Sequence, residues 1–167
     1  DHIFNDRIMP DFVGMSRTMN PFLRLQPVTP GKIFTVGRYQ VLALEVDHVV
    51  PTVAYLVDDG KTAIAVVTDT APVPDVLDQI AAWPRMRTLF LEASFPDSMD
   101  WLAVVSKHHT VRQFVEQASR LPPTLDIYAI HVKPRWVDEI AEAIRQAGRS
   151  NICMAEPGQV LTIPSSS

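Results

Sequence analysis

The spacing of apolar residues changes character along the chain, and each change predicts a different kind of element. Segments 32–36, 39–46, 52–57 and 62–67 are short, apolar and rich in β-branched residues, and Gly37-Arg38, the His48 to Pro51 stretch and Asp58-Asp59-Gly60 separate them. That punctuation predicts consecutive strands. Asp59-Gly60 between two apolar runs predicts a hairpin, so the strands carrying Tyr55 and Ile64 are antiparallel neighbours and the region of His48 is linked to that of Asp69. After Pro72 and Pro74 the period turns helical, with Val76, Leu77, Ile80 and Ala81 on one face and Pro84 as the stop. A buried strand over 88–93, a helix from Thr110 to Arg120, a strand over 125–130 and a helix over 134–147 stopped by Gly148 follow. Short strands are expected at 152–154 and 160–163, then a frayed Ser-rich tail at 164–167. Before all of this, Pro10, Pro21, Pro27 and Pro30 interrupt every helical period, so 1–30 reads as an irregular, packed loop region. The pattern predicts an α/β (α+β) domain over 1–167, with helices outside a mixed, mainly antiparallel sheet.

Composition narrows the class. A chain of 167 residues with 47% hydrophobic and 20% charged residues holds one domain with a real core, and is neither disordered nor a coiled coil. Its net charge of −4 argues against general attachment to nucleic acid or to an anionic membrane, while a local pocket for a small anion stays open. No apolar run is long enough to span a bilayer, and no signal-peptide pattern opens the chain. The single Cys153 forms no internal disulfide and cannot build a thiolate cage. A cytoplasmic location is therefore expected, and any metal must be held by histidine and carboxylate.

Those residue types stand at suggestive places. Asp69 ends the apolar run 63–67 at the mouth of a Pro-punctuated loop, where a strand fixes a carboxylate and the loop leaves it accessible. Such an aspartate is often only a cap. Three histidine-bearing loops, each expected after an apolar strand, single it out: Asp47-His48, Lys107-His108-His109-Thr110 and Ile130-His131. Imidazoles from several strand ends are what a catalytic zinc site requires. No HxH or HExxH pair is present, so spacing alone assigns no ligand set.

Taken in order, six segments carry a resemblance: His2 to Asp6, Glu45 to Tyr55, Thr68-Asp69-Thr70-Ala71-Pro72, Leu91-Glu92-Ala93-Ser94-Phe95-Pro96, Lys107 to Thr110, and Ile130-His131-Val132-Lys133-Pro134-Arg135. Together they resemble the C-terminal part of metallo-β-lactamase-fold phosphodiesterases, in particular the class II cyclic-nucleotide phosphodiesterase group related to ribonuclease Z. The resemblance implies part of an αββα sandwich and two divalent metal ions, zinc first, with manganese or iron(II) as alternatives. It implies His48 on one metal, His131 on the other, Asp69 bridging, and His108 at the scissile phosphate. Glu92 would orient His108 or a ligand imidazole. A small-molecule phosphodiester is the implied substrate, and a homodimer the implied assembly.

The chain departs from that pattern in ways that carry expectations of their own. The family's HxHxDH motif, source of the remaining ligands, does not occur, and the opening at Asp1 reads as the middle of a longer protein. Thr68 and Ala71 stand where glycines usually flank the aspartate, Ala54 replaces a glycine and Met9 a tryptophan. The chain by itself is expected to bind metal weakly, to lack activity and to expose apolar surface. Two other functions stay open at this stage: a ribonuclease Z-like or other hydrolase of the same fold, and a binding module that has lost catalysis. Lys133 and Arg135 are expected to be solvated at a helix start rather than to touch phosphate.

Overall fold

The computed structural model describes residues 6–18 and 21–164; the expected His2 to Asn5 segment and the last three residues lie outside them. Seven strands form one sheet in chain order: β1 (Ile33–Val36), β2 (Tyr39–Val46), β3 (Thr52–Asp58), β4 (Ala63–Val67), β5 (Met86–Glu92), β6 (Asp126–Ile130) and β7 (Ile152–Met154). The pairs from β1 to β4 are antiparallel and those from β4 to β7 parallel. The sheet is thus mixed in equal parts, more parallel than a run of strand signals suggests. The reason is that helices α2 (Pro74–Ala81), α3 (Asp100–Ser106), α4 (Val111–Arg120) and α5 (Val137–Gln146) supply the crossovers that parallel neighbours need.

The expected hairpin is present: Asp58 pairs with Ala63, and Gly60 takes φ +88 in the turn, a conformation that glycine adopts without cost. One face of the sheet, with Leu56, Ala65, Leu89 and Ile127, is buried under Leu77, Phe114, Ile140 and Ile144 of the helices. Burying each such large side chain contributes about 1.5–3 kcal/mol, which makes this layer the core. The opposite face keeps Val57, Ile64, Phe90 and Tyr128 half-buried and Tyr55 39% exposed.

Three elements differ from the sequence reading. Within the supposedly irregular 1–30, helix α1 (Phe12–Thr18) forms because Asp11 Oδ1 accepts from Gly14 N–H at 2.8 Å, a cap that outweighs the surrounding prolines. The stretch before His108 is helix α3, not a strand; its short apolar run fits either state, and a left-handed Lys107 (φ +54) closes it. Residues 160–163 form no strand; Leu161 and Ile163 line a cleft of about 300 Å³ with Tyr39, Val57 and Ile64.

Candidate metal centre

Strand direction gathers the candidate residues. β2, β4, β5 and β6 all run the same way, so the segments that follow them open at one edge of the sheet. His48 follows β2, Asp69 follows β4, Glu92 ends β5 and His131 follows β6. His108 arrives differently, from the loop between α3 and α4. That loop is pinned where Ser94 N–H and Phe95 N–H both donate to His109 O, and where Thr110 opens α4 with a reciprocal capping box to Gln113.

The loops are stitched to one another beneath the side chains. Ala71 N–H donates to Asp47 O at 2.7 Å, and Lys107 Nζ meets Asp47 Oδ1 at 2.5 Å. His48 Nδ1 lies 3.2 Å from Lys107 O. A carbonyl only accepts, so Nδ1 of His48 carries the proton and Nε2 keeps its lone pair, the tautomer a metal ligand needs. One donor atom from each of His48, Asp69 and His108 lies within 4.8 Å of the other two. The His108 ring sits 5.0 Å from that of His48 and 5.3 Å from that of His131.

His131 completes the group from the far side, with Nε2 3.1 Å from Asp69 Oδ1. The same nitrogen is 2.8 Å from Lys133 Nζ in an exposed contact, so half-buried Lys133 also reaches His131 at the rim of the site. Burial first, then the Lys133 charge, push the His131 pKa below its ordinary value despite Asp69 and Glu92 nearby. A neutral imidazole is the form that binds metal. Both Asp69 (φ +54) and His131 (φ +58) hold left-handed backbone conformations, which cost a non-glycine residue about 1–3 kcal/mol and cluster at functional sites.

Glu92 lies under the group, fully buried. It accepts from Thr70 N–H at 2.5 Å, Ser94 Oγ at 2.6 Å and His108 Nδ1 at 2.8 Å. Burial alone would raise its pKa; the nearby His109, whose backbone N–H also donates to Oε2 at 3.4 Å, together with hydrogen bonds from Ser94 and Thr70, outweighs that and lowers it to about 2. The carboxylate is therefore ionised at neutral pH and able to fix His108 with its proton on Nδ1. Thr70, Ser94 and His109 escaped the sequence reading. For His109 a signal existed, because in an extended segment the residue after a site-facing one faces the interior.

No family model matches the sequence, and no curated protein does. Solved structures do share the fold. The metallo-β-lactamase fold protein YhfI from Bacillus subtilis superposes with a TM-score of 0.62 at 16% identity, over 77% of this chain and 52% of that one. The architecture is that of the metallo-β-lactamase fold. A diphosphatase of the PhnP family (TM-score 0.61, 18% identity, 90% of this chain and 51% of that) and the short form of human tRNase Z (0.59, 19%, 78% and 46%) share it. The chain spans about half the length of these metallo-β-lactamase-fold structures.

A divalent metal fits the residues present. The donors are imidazole nitrogens and a carboxylate, the set that zinc accepts, and they converge on one point. His48 and Glu92-bound His108 already have their second nitrogens engaged.

Proposed function

We propose that this chain carries one side of a binuclear metal centre in a metal-dependent hydrolase whose substrates are phosphodiesters, 3′,5′-cyclic nucleotides first among them. The convergence of His48, Asp69 and His108, with His131 against the same carboxylate, carries the reading. The fold supports it: a tRNase and a diphosphatase are among the structures sharing it.

In this reading His48, Asp69 and His131 would hold the metal ions. An HxHxDH motif is not among this chain's residues. A divalent metal held at this site would supply a water of lowered pKa and positive charge for phosphoryl oxygens. The protein's own work is placement. Glu92 keeps the His108 Nδ1 proton in place, so that His108, protonated on both nitrogens, would give its Nε2 proton to the leaving oxygen and return to the neutral Nδ1–H form. Lys133, whose ammonium lies 2.8 Å from His131 Nε2, sets a positive charge at the rim of the site where an anionic substrate would be held.

The test is cyclic-AMP hydrolysis by the whole protein, with Asp69→Asn as the variant, since asparagine tolerates the left-handed backbone. The expected outcome is a loss of at least about 100-fold in kcat with an unchanged melting temperature. Untouched hydrolysis in that variant contradicts the mechanism. Activity confined to RNA 3′ ends or diphosphates overturns the substrate class and leaves the centre standing.

A further inference from the structure

Below Glu92 the core contains two polar side chains that the proposed mechanism does not use. His109 is fully buried and Gln117, on the sheet-facing side of α4, is 6% exposed. Burying such groups is costly unless they are hydrogen-bonded. Their connections form a directed chain. Val73 N–H donates to Gln117 Oε1 at 3.0 Å, which fixes the orientation of the amide. Its Nε2 then meets His109 Nε2 in a very short contact. An amide nitrogen only donates, so His109 Nε2 must be the acceptor and the ring proton must sit on Nδ1.

His109 Nδ1 is a buried atom with no hydrogen-bond partner within normal distance, and it points to Glu92 Oε1, 3.8 Å away. Among the described residues the donors around Glu92 converge on the carboxylate: Thr70 from the Asp69 loop, Ser94 from its own segment, His108 from the site and the His109 backbone N–H at 3.4 Å, with the His109 ring edge aimed at it from the core. If His109 carried its proton on Nε2 instead, two donors would face each other, and the Gln117 amide could relieve that only by giving up Val73.

We infer that His109, held as the Nδ1–H tautomer by Gln117, is a positioning residue that orients the Glu92 carboxylate and through it the His108 imidazole and the Asp69 loop. The inference rests on the metal centre proposed above. The long 3.8 Å contact is the one that closes when the centre is loaded, as catalytic hydrogen bonds commonly do. The link reaches from the start of α2, at Val73, through α4 to the site, so one core histidine couples two helices to the ligand-bearing loops.

Nitrogen-resolved NMR of the histidine rings in the metal-free chain reads the tautomer directly, and a zinc titration of His109→Leu and His109→Asn reads its consequence. Asparagine keeps a donor near the Nδ1 position; leucine does not. The expected result is the Nδ1–H tautomer for His109, zinc affinity weakened about 10-fold or more in the leucine variant, and recovery of most of it in the asparagine variant. An Nε2–H tautomer, or equal zinc affinity in all three chains, overturns the inference. Should the leucine variant fail to fold, the tautomer and the comparison of wild type with His109→Asn decide. Absence of zinc binding by the wild type counts against the metal centre, while the tautomer still decides the role of His109.

Discussion

Glu92 is the residue on which most of the site geometry depends, and its charge makes a pH-dependent prediction. Its pKa is lowered from 4.5 to about 2 in the folded chain by hydrogen bonds that outweigh its burial. A depressed carboxylate contributes stability that is present above its unfolded pKa and lost as pH falls through the folded one. The contribution is on the order of 3 kcal/mol, complete above about pH 5 and vanishing toward pH 2. Glu92→Gln removes it, because an amide cannot accept from Thr70, Ser94 and His108 together. Urea unfolding should show the variant weaker by about 3 kcal/mol at pH 7, with the gap closing as the pH is lowered. A gap independent of pH contradicts this. At this scale the sequence was legible where a residue type announces its chemistry: His48, Asp69, His108, His131 and Glu92 are drawn together in the fold. What it did not announce is the support. Thr70 and Ser94 act through a backbone N–H and a common hydroxyl, and Gln117 through a helix face that only folding aims inward.

Among elements, the β3–β4 hairpin is tied to the entry of β5 by one buried carboxylate. Asp58, 1% exposed, accepts from Gly60 N–H at 2.7 Å, Arg85 at 2.8 Å and Trp83 Nε1 at 2.9 Å. Asp58→Ala leaves three donors without their acceptor, the indole and guanidinium among them. The expected cost is about 3 kcal/mol in urea unfolding, and a loss below about 1 kcal/mol contradicts the role given to Asp58. The strands of this region were readable because β-branched runs and Asp59-Gly60 are local signals. Helices α1 and α3 were not: each has 7 residues, too short to show a period, and each is set by its ends. The balance of parallel and antiparallel pairing was equally hidden, since it depends on which strands the helices carry the chain between.

For the whole molecule, one sheet and its helices place four strand ends at a common edge, and every candidate site residue except His108 comes from those ends. The other sheet face leaves Tyr55 39% exposed and Ile64, Phe90 and Tyr128 half-buried. Among the described residues no helix is long and apolar enough to cross a membrane. The edge is what matters for function, because it turns dispersed sequence positions into one cluster of nitrogen and carboxylate donors.

Zinc titration of the 167-residue chain, followed through the ring nitrogens of His48, His108 and His131, tests the metal centre most directly. Saturable binding is expected that moves the Nε2 signals of His48 and His131 and is weakened at least about 10-fold in Asp69→Asn, with the melting temperature of the metal-free chain unchanged. Uptake that never saturates, or that is the same with and without the Asp69 carboxylate, would contradict it.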